Sequence, residues 1–204
     1  MPSHARTITR KTHRVRNTLL VVLLLLVVCA AAAGFCGFKL YKSAMSAKTH
    51  LNNVINSAKV IKDGSTDDMI KALSDVSYIQ SEAAAAKQDV SGGLWTLAEK
   101  VPVVGSDVKT ARVAIDTIDD FAQTTLPQLG KVVTTLTSAS LSSGDGQLNM
   151  EPIISAAQQL TTVNQSVQSQ AKTIQDLPDA KIGLVNNALQ SGKSQMAALA
   201  QMTE

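Results

Sequence analysis

Apolar residues in this chain follow two patterns. From Thr18 to Phe38 they run unbroken, TLLVVLLLLVVCAAAAGFCGF, 21 residues without a charge. Beyond Phe38 they recur every three or four positions, the spacing of one helical face, almost to the end. An uncharged helix of that first length covers roughly 30 Å, the hydrocarbon thickness of a bilayer. It also pairs its backbone groups internally, as lipid requires. The pattern predicts a transmembrane helix over 18–38. The apolar run continues through Gly34, Phe35 and Phe38, which favours a retained span. A cleaved signal peptide is the alternative, with Ala31-Ala32-Ala33 as its small-residue site.

The periodic part predicts an all-α chain. Leu40, Ala44, Ala47, Leu51, Val54, Ala58 and Ile61 form a heptad seam, so the span is expected to continue as a stalk helix over 39–62. Asp63-Gly64 ends it, and Ser65 or Thr66 caps the next helix, with its apolar face on Met69, Leu73, Val76, Ile79, Ala83, Ala86 and Val90. Gly92-Gly93 then break the pattern before a short segment holding Trp95, the only tryptophan. Pro102 extends the residue before it, Gly105 turns the chain, and Ser106-Asp107 cap a new helix. That helix shows Val108, Ala111, Ile115, Ile118, Ala122 and Thr125, is kinked or restarted at Leu126-Pro127, and continues through Leu129, Val132, Val133 and Leu136. A loop, Ser142 to Gln147, leads to Asn149 as a cap and a fourth long helix on Ile153, Ala157, Leu160, Asn164, Val167, Ala171 and Ile174. Leu177-Pro178-Asp179 turns into a last stripe of Ile182, Val185, Leu189, Gly192, Met196 and Leu199. The expected organisation is a tail over 1–17, a span over 18–38, a stalk over 39–62 and an extracytoplasmic bundle of long antiparallel helices over 63–204.

Charge sharpens this picture. The net +3 conceals five basic residues and no acid in 1–17, five lysines and no acid in 39–62, and an acidic excess after residue 62. Positive charge therefore flanks the apolar run, which fits anionic lipid headgroups and not nucleic acid. The stronger basic bias before the span places the N-terminus in the cytoplasm and the C-terminal part outside. Both cysteines, Cys29 and Cys36, lie in the span, so the expected ectodomain has no disulfide, as in a bacterial envelope. Ala30/Gly34 and Ala33/Gly37 are small-xxx-small pairs that permit close helix contact.

Residues able to do chemistry are few. His50 has no ligand partner one turn away. Asp116, Asp119 and Asp120 cluster on one helix, but no second acidic group or histidine joins them in sequence. They read as a solvated face partly matched by Lys109 and Arg112. Asp145-x-Gln147 falls short of a calcium loop. Trp95 reads as an apolar plug between helix ends. Pro152 to Ala171 carries no charge, only Gln, Ser, Thr and Asn among its polar residues, a face suited to carbohydrate, to a partner helix or simply to water. No catalytic, cofactor or metal residue is assigned, and an enzyme is not expected.

The order of landmarks is similar to a known family. A basic tail and span, then Gly92-Gly93-Leu94-Trp95 with Val101-Pro102-Val103-Val104-Gly105-Ser106-Asp107, Leu126-Pro127-x-Leu129, Gly144-Asp145-Gly146-Gln147-Leu148 and Leu177-Pro178 follow in sequence. This resembles the N-terminal region of an uncharacterised single-pass envelope family of high-GC Gram-positive bacteria, catalogued as domain of unknown function 4012. The family continues into a mixed α/β portion that these residues do not include, and the resemblance carries no catalytic residues. The span and the helices lead to a membrane-anchored binding, scaffold or spacer module of a bacterial cell envelope, whose partners are the bilayer through 18–38 and a protein or a second copy through helix faces, with no nucleic acid. The alternatives are a chemoreceptor-like helical sensor and, as the resemblance alone implies, a shortened member of a polysaccharide-assembly protein.

Overall fold

In the computed structural model, every regular element among the described residues is helical, as the periodicity predicts. The structure describes residues 12–63, 65–74, 76–138 and 149–202, with side chains from Gly34 onward except at a few positions near the breaks. The elements are α1 (Thr12–Asp63), α2 (Thr66–Ser74), α3 (Ser77–Val90), α4 (Gly93–Ala98), α5 (Gly105–Asp120), a π-helical turn (Phe121–Thr125), α6 (Leu126–Ser138), α7 (Glu151–Gln175) and α8 (Gly183–Met202). The chain divides into two units, Met1–Lys42 and Ser43–Glu204.

In the first unit, Phe35, Phe38 and Tyr41 are exposed, and the Lys39 ammonium lies 5.2 Å over the Phe35 ring. Among the described residues, no helix is long and apolar enough to cross a membrane. The expected span falls largely on 18–33, whose side chains lie outside the described ones, as do most of the expected tail and the Asp145 loop.

The second unit takes in most of the predicted stalk. Ala47 is buried against Ala86, Val90 and Ile115, with Leu51 packed beside it, and Val54 packs against Leu73 and Ile79. Residues 43–54 therefore form part of the bundle's core, because small residues at Ala47 and Ala86 let the two helices approach closely. Pairings run antiparallel. Ser43 donates to the Asp89 carbonyl while His50 meets Glu82, and Gln168 and Gln175 donate to the carbonyls of Ala200 and Lys193.

Several predicted boundaries hold. Ser65 Oγ accepts the Asp68 N–H, while Asp68 accepts from the Ser65 N–H and hydroxyl, a reciprocal cap for α2. Asn149 Oδ1 accepts the Glu151 N–H at the start of α7. The α3 face is buried at Ile79, Ala83, Ala86 and Val90, as predicted.

Other boundaries differ. The single helix expected from Thr66 to Val90 is two, α2 and α3. The first ends at Ser74 and the second begins at Ser77. Gly130 of α6 also packs so closely on the Leu73 carbonyl that a Cβ would overlap it. In α7 the first turns bury Ala156 and Val163, not Ile153, Ala157 and Leu160, since α7 lies between α6 and α8 and uses two adjacent rows of side chains.

Candidate functional site

Proline at position 127 cannot donate to the carbonyl four residues back, and its ring crowds that carbonyl. The chain answers by widening the preceding turn. Leu126 N–H bonds to the Phe121 carbonyl, five residues behind, so α5 and α6 are joined without a break. The extra residue turns Thr125 inward, where it is fully buried and donates to Gln170 Oε1 at 3.1 Å. Gln170 Nε2 in turn donates to Asp120 Oδ2 at 2.7 Å. Both amide ends of one buried glutamine are thus bonded across the π turn, as a buried polar group requires.

Beside this network lies an open groove of about 320 Å³, with Asp120 and Thr124 on one wall and Thr162, Gln165, Ser166, Ser169 and Gln170 of α7 on the other. The uncharged stretch of α7 supplies the second wall, so the face singled out in the sequence borders a cavity. Three of its hydroxyl protons are already used: Thr124 donates to the Asp120 carbonyl at 2.7 Å, Thr162 to the Gln158 carbonyl at 3.5 Å and Ser166 to the Thr162 carbonyl at 3.2 Å. The groove presents the lone pairs of these hydroxyls, one carboxylate, and the Gln165 amide and Ser169 hydroxyl, which can each donate and accept, so its lining is polar and carries both kinds of hydrogen-bonding group. A larger open groove of about 600 Å³ runs along Leu73, Pro127, Gly130 and Lys131, with a more apolar floor.

The acidic cluster is organised differently from its prediction. Asp119 is buried, accepting from Lys87 of α3 at 2.9 Å and from Gln123 at 3.2 Å, while exposed Asp116 lies 3.8 Å from the same lysine. The hydrogen bond to Asp119 holds the Lys87 ammonium above its ordinary pKa, outweighing burial. Arg112 pairs with Glu99. Partners that are distant in sequence replaced the neighbours Lys109 and Arg112, because α3 packs directly on α5.

His50 also has partners across helices. Its Nδ1 lies 3.0 Å from Glu82 Oε2, which accepts from Asn53 at 2.6 Å, and its Nε2 lies 3.9 Å from Asp89 Oδ2, a buried oxygen without a hydrogen bond. The hydrogen bonds from Asn53 and His50 hold Glu82 below the ordinary carboxylate range. Among the described residues, no group of three or more His, Cys, Asp or Glu has metal-binding geometry.

Trp95 is half-buried. It packs on the cluster of Ala47, Ala86, Val90 and Ile115, and its Nε1 donates to Ser43 Oγ at 3.2 Å. It pins α1 to the knuckle, where the sequence suggested a plug between helix ends. Asp107, expected as a cap, is buried and accepts the Ile182 N–H at 2.6 Å, tying α5 to the turn before α8. Gly105 does not turn the chain by a positive φ. Its backbone packs under the Glu99 carbonyl, where a Cβ would overlap, and the residue with positive φ is Val103, at 78°. The sequence placed Thr125 on the apolar stripe and Asp107 at a cap, but carried no signal for Gln170 or for the bonds these residues make, since their partners come from distant segments. Comparison of the chain with protein-family models, curated proteins and solved structures finds no match.

Proposed function

We propose that this chain is a single-pass membrane protein whose helical unit acts outside the membrane as a binding, scaffold or spacer module of a bacterial cell envelope, without catalysis of its own. The observation that carries it is the uncharged run Thr18–Phe38 between five basic residues on one side and Lys39, Lys42 and Lys48 on the other. The landmarks resembling the uncharacterised envelope family support the setting. A non-catalytic role is supported by the groove beside the π turn, where the hydroxyls of Thr124 and Ser166 are bonded to carbonyls of their own helix rather than to a general base.

The test is topology in a bacterial host. Residues 18–38 should keep the protein in the membrane pellet after alkaline extraction. A C-terminal tag should be digested by protease added to wall-free cells, while an N-terminal tag survives. Release by alkali, or the reverse digestion pattern, overturns the reading; a mature N-terminus near Gly34 replaces the span with a signal peptide. A helical sensor is the second reading, favoured by the packing of α1 residues Ala47 and Leu51 into the unit that carries the polar groove. A ligand that changes labelling of α1 from within the groove would select it.

A further inference from the structure

One end of the Ser43–Glu204 unit gathers the α4 knuckle, the start of α5 and the turn before α8, since Asp107 holds the Ile182 N–H and Gly105 N–H bonds to the Val101 carbonyl. That end exposes Leu97, Val101, Val103, Val104, Ile182 and Leu184, with 63 % of Leu97 and 69 % of Val103 open to solvent. Contiguous exposed apolar side chains of this size mark an interaction surface. Val103 adds a second sign. A β-branched residue at φ 78° is strained, in a position usually given to glycine or asparagine, and its side chain gains nothing from the fold it strains. Burial against something outside the unit would offset that cost.

Chain connectivity says what lies near. Ser43, first residue of the unit, accepts from Trp95 and donates to the Asp89 carbonyl, so the chain enters the unit at this end. Five residue steps lead from Phe38, the end of the uncharged run, to Ser43. Fully extended, they reach at most about 18 Å. Charge points the same way. Lys39 and Lys42 lie in that connection and Lys100 and Lys181 in the two loops. Of the acids nearby, Glu99 is engaged by Arg112, Asp107 by the Ile182 N–H, Asp176 by Lys172, and Asp179 by Gln190 and Lys193, while Asp89 turns a buried oxygen toward His50 at 3.9 Å. Lysines beside exposed aliphatic side chains suit anionic headgroups over an acyl boundary.

We propose that this knuckle end is a second lipid contact, its exposed aliphatic residues inserted into the interface of the bilayer that residues 18–38 enter. The inference rests on the reading of 18–38 as a span, and it adds a lipid-facing role for residues far from that span in sequence. Leu136, Met150, Ile153 and Ile154 are also exposed, but they border residues 139–148, outside the described part, and nothing shows what covers them.

Tryptophan quenching tests it on the full chain in vesicles of phosphatidylcholine and phosphatidylglycerol. Trp95→Phe removes the only native tryptophan, and single tryptophans are then placed by Leu97→Trp, Val103→Trp, Phe38→Trp and, as the remote control, Leu136→Trp, each checked for unchanged helix signal. Lipids brominated on the acyl chain should quench the probes at 97 and 103 at least about twofold, the probe at 38 as strongly, and the probe at 136 hardly at all. Quenching at 38 without quenching at 97 or 103 overturns the lipid contact and leaves the span intact. No quenching at 38 overturns the span, and the lipid contact with it. A blue-shifted probe at 97 that bromine leaves bright, and that reddens on dilution of the protein in lipid, assigns the surface to a second copy and overturns the lipid contact.

Discussion

Two glycines give a test in which one chemical change should have opposite signs. Alanine replacing glycine in a helix gains about 0.5–1 kcal/mol, because the unfolded chain loses freedom it would otherwise keep. At Gly192, in the interior of α8, a Cβ meets nothing within 4 Å, so Gly192→Ala should show that gain. At Gly105, the first residue of α5, a Cβ would overlap the Glu99 carbonyl oxygen and press on the Ala98 carbonyl as well. Backbone cannot swing aside as a flexible side chain can. Overpacking of this kind costs about 1–3 kcal/mol or more, which exceeds the helix gain. Gly105→Ala should therefore be less stable than wild type by about 1–2 kcal/mol, and at about 2–4 °C per kcal/mol for a chain of this size the two variants should melt several degrees apart. The assay is thermal unfolding of full-length protein in one detergent, followed by far-UV circular dichroism. If Gly105→Ala melts at or above wild type, the close approach of the knuckle to α5 is wrong. If Gly192→Ala melts below wild type, α8 is not an open, regular helix there.

Thr125→Val keeps the shape of the buried side chain but leaves Gln170 Oε1 unpaired, which should cost about 1–3 kcal/mol; a double variant with Gln170→Leu should lose less than the sum, and strict additivity in denaturant melts would show that the two do not interact. Glu82 has a depressed folded pKa, so its stabilisation is fully present above the ordinary glutamate value of about 4.3 and is lost as pH falls through the lower folded value. Glu82→Gln should flatten the acid limb of a stability-against-pH curve, and an unchanged limb would remove Asn53 and His50 as its cause. Trp95→Ala opens a hole over Ala47, Ala86 and Val90 and should cost about 2–4 kcal/mol, somewhat below a fully buried aromatic, with helix content kept at low temperature. Indole emission at the wavelength of free tryptophan in the wild type would contradict its packing.

Helix periodicity made much of the fold legible, and the positions it missed share a cause. The α3 face emerged residue for residue because α3 presents one face to its neighbours. The apolar stripe was right at Ile115 of α5 and at Ala122 of the π turn, yet Thr110, Thr117 and Asp119 of α5 are also buried. That helix touches α3, α7 and α8, and periodicity describes a single stripe, not three partners. The same limit hid the partners of His50 and Asp119. A search one turn along the same helix cannot find Glu82 or Lys87 on the helix opposite. Gly105 was read as the residue that turns the chain, whereas the close Glu99 carbonyl is what requires a glycine there. Sequence shows that a side chain is missing; it does not show whether the backbone needs a positive φ or the space.

Pro127 carries that lesson furthest. A proline inside an apolar stripe signals a break, and the sequence offered a kink or a restart. The structure keeps the helix continuous from Gly105 to Ser138 by adding one residue to the turn before the proline. One extra residue rotates everything after it by about 100° relative to the helix before, since each residue of an α-helix advances by that angle. The stripe of α5 and the stripe of α6 can then face different neighbours. Leu126 joins the Leu73 and Ile79 cluster, while Phe121 and Leu129 reach both that cluster and Val163 and Val167 of α7. The turn that absorbs the proline also brings a threonine inside, and a buried hydroxyl must find a partner. Gln170 provides it from the otherwise uncharged polar face of α7, and with the other end of its amide holds Asp120 at the lip of the groove. The groove's one carboxylate is thus fixed in place by the accommodation of Pro127, so the groove and the helix defect are a single structural feature.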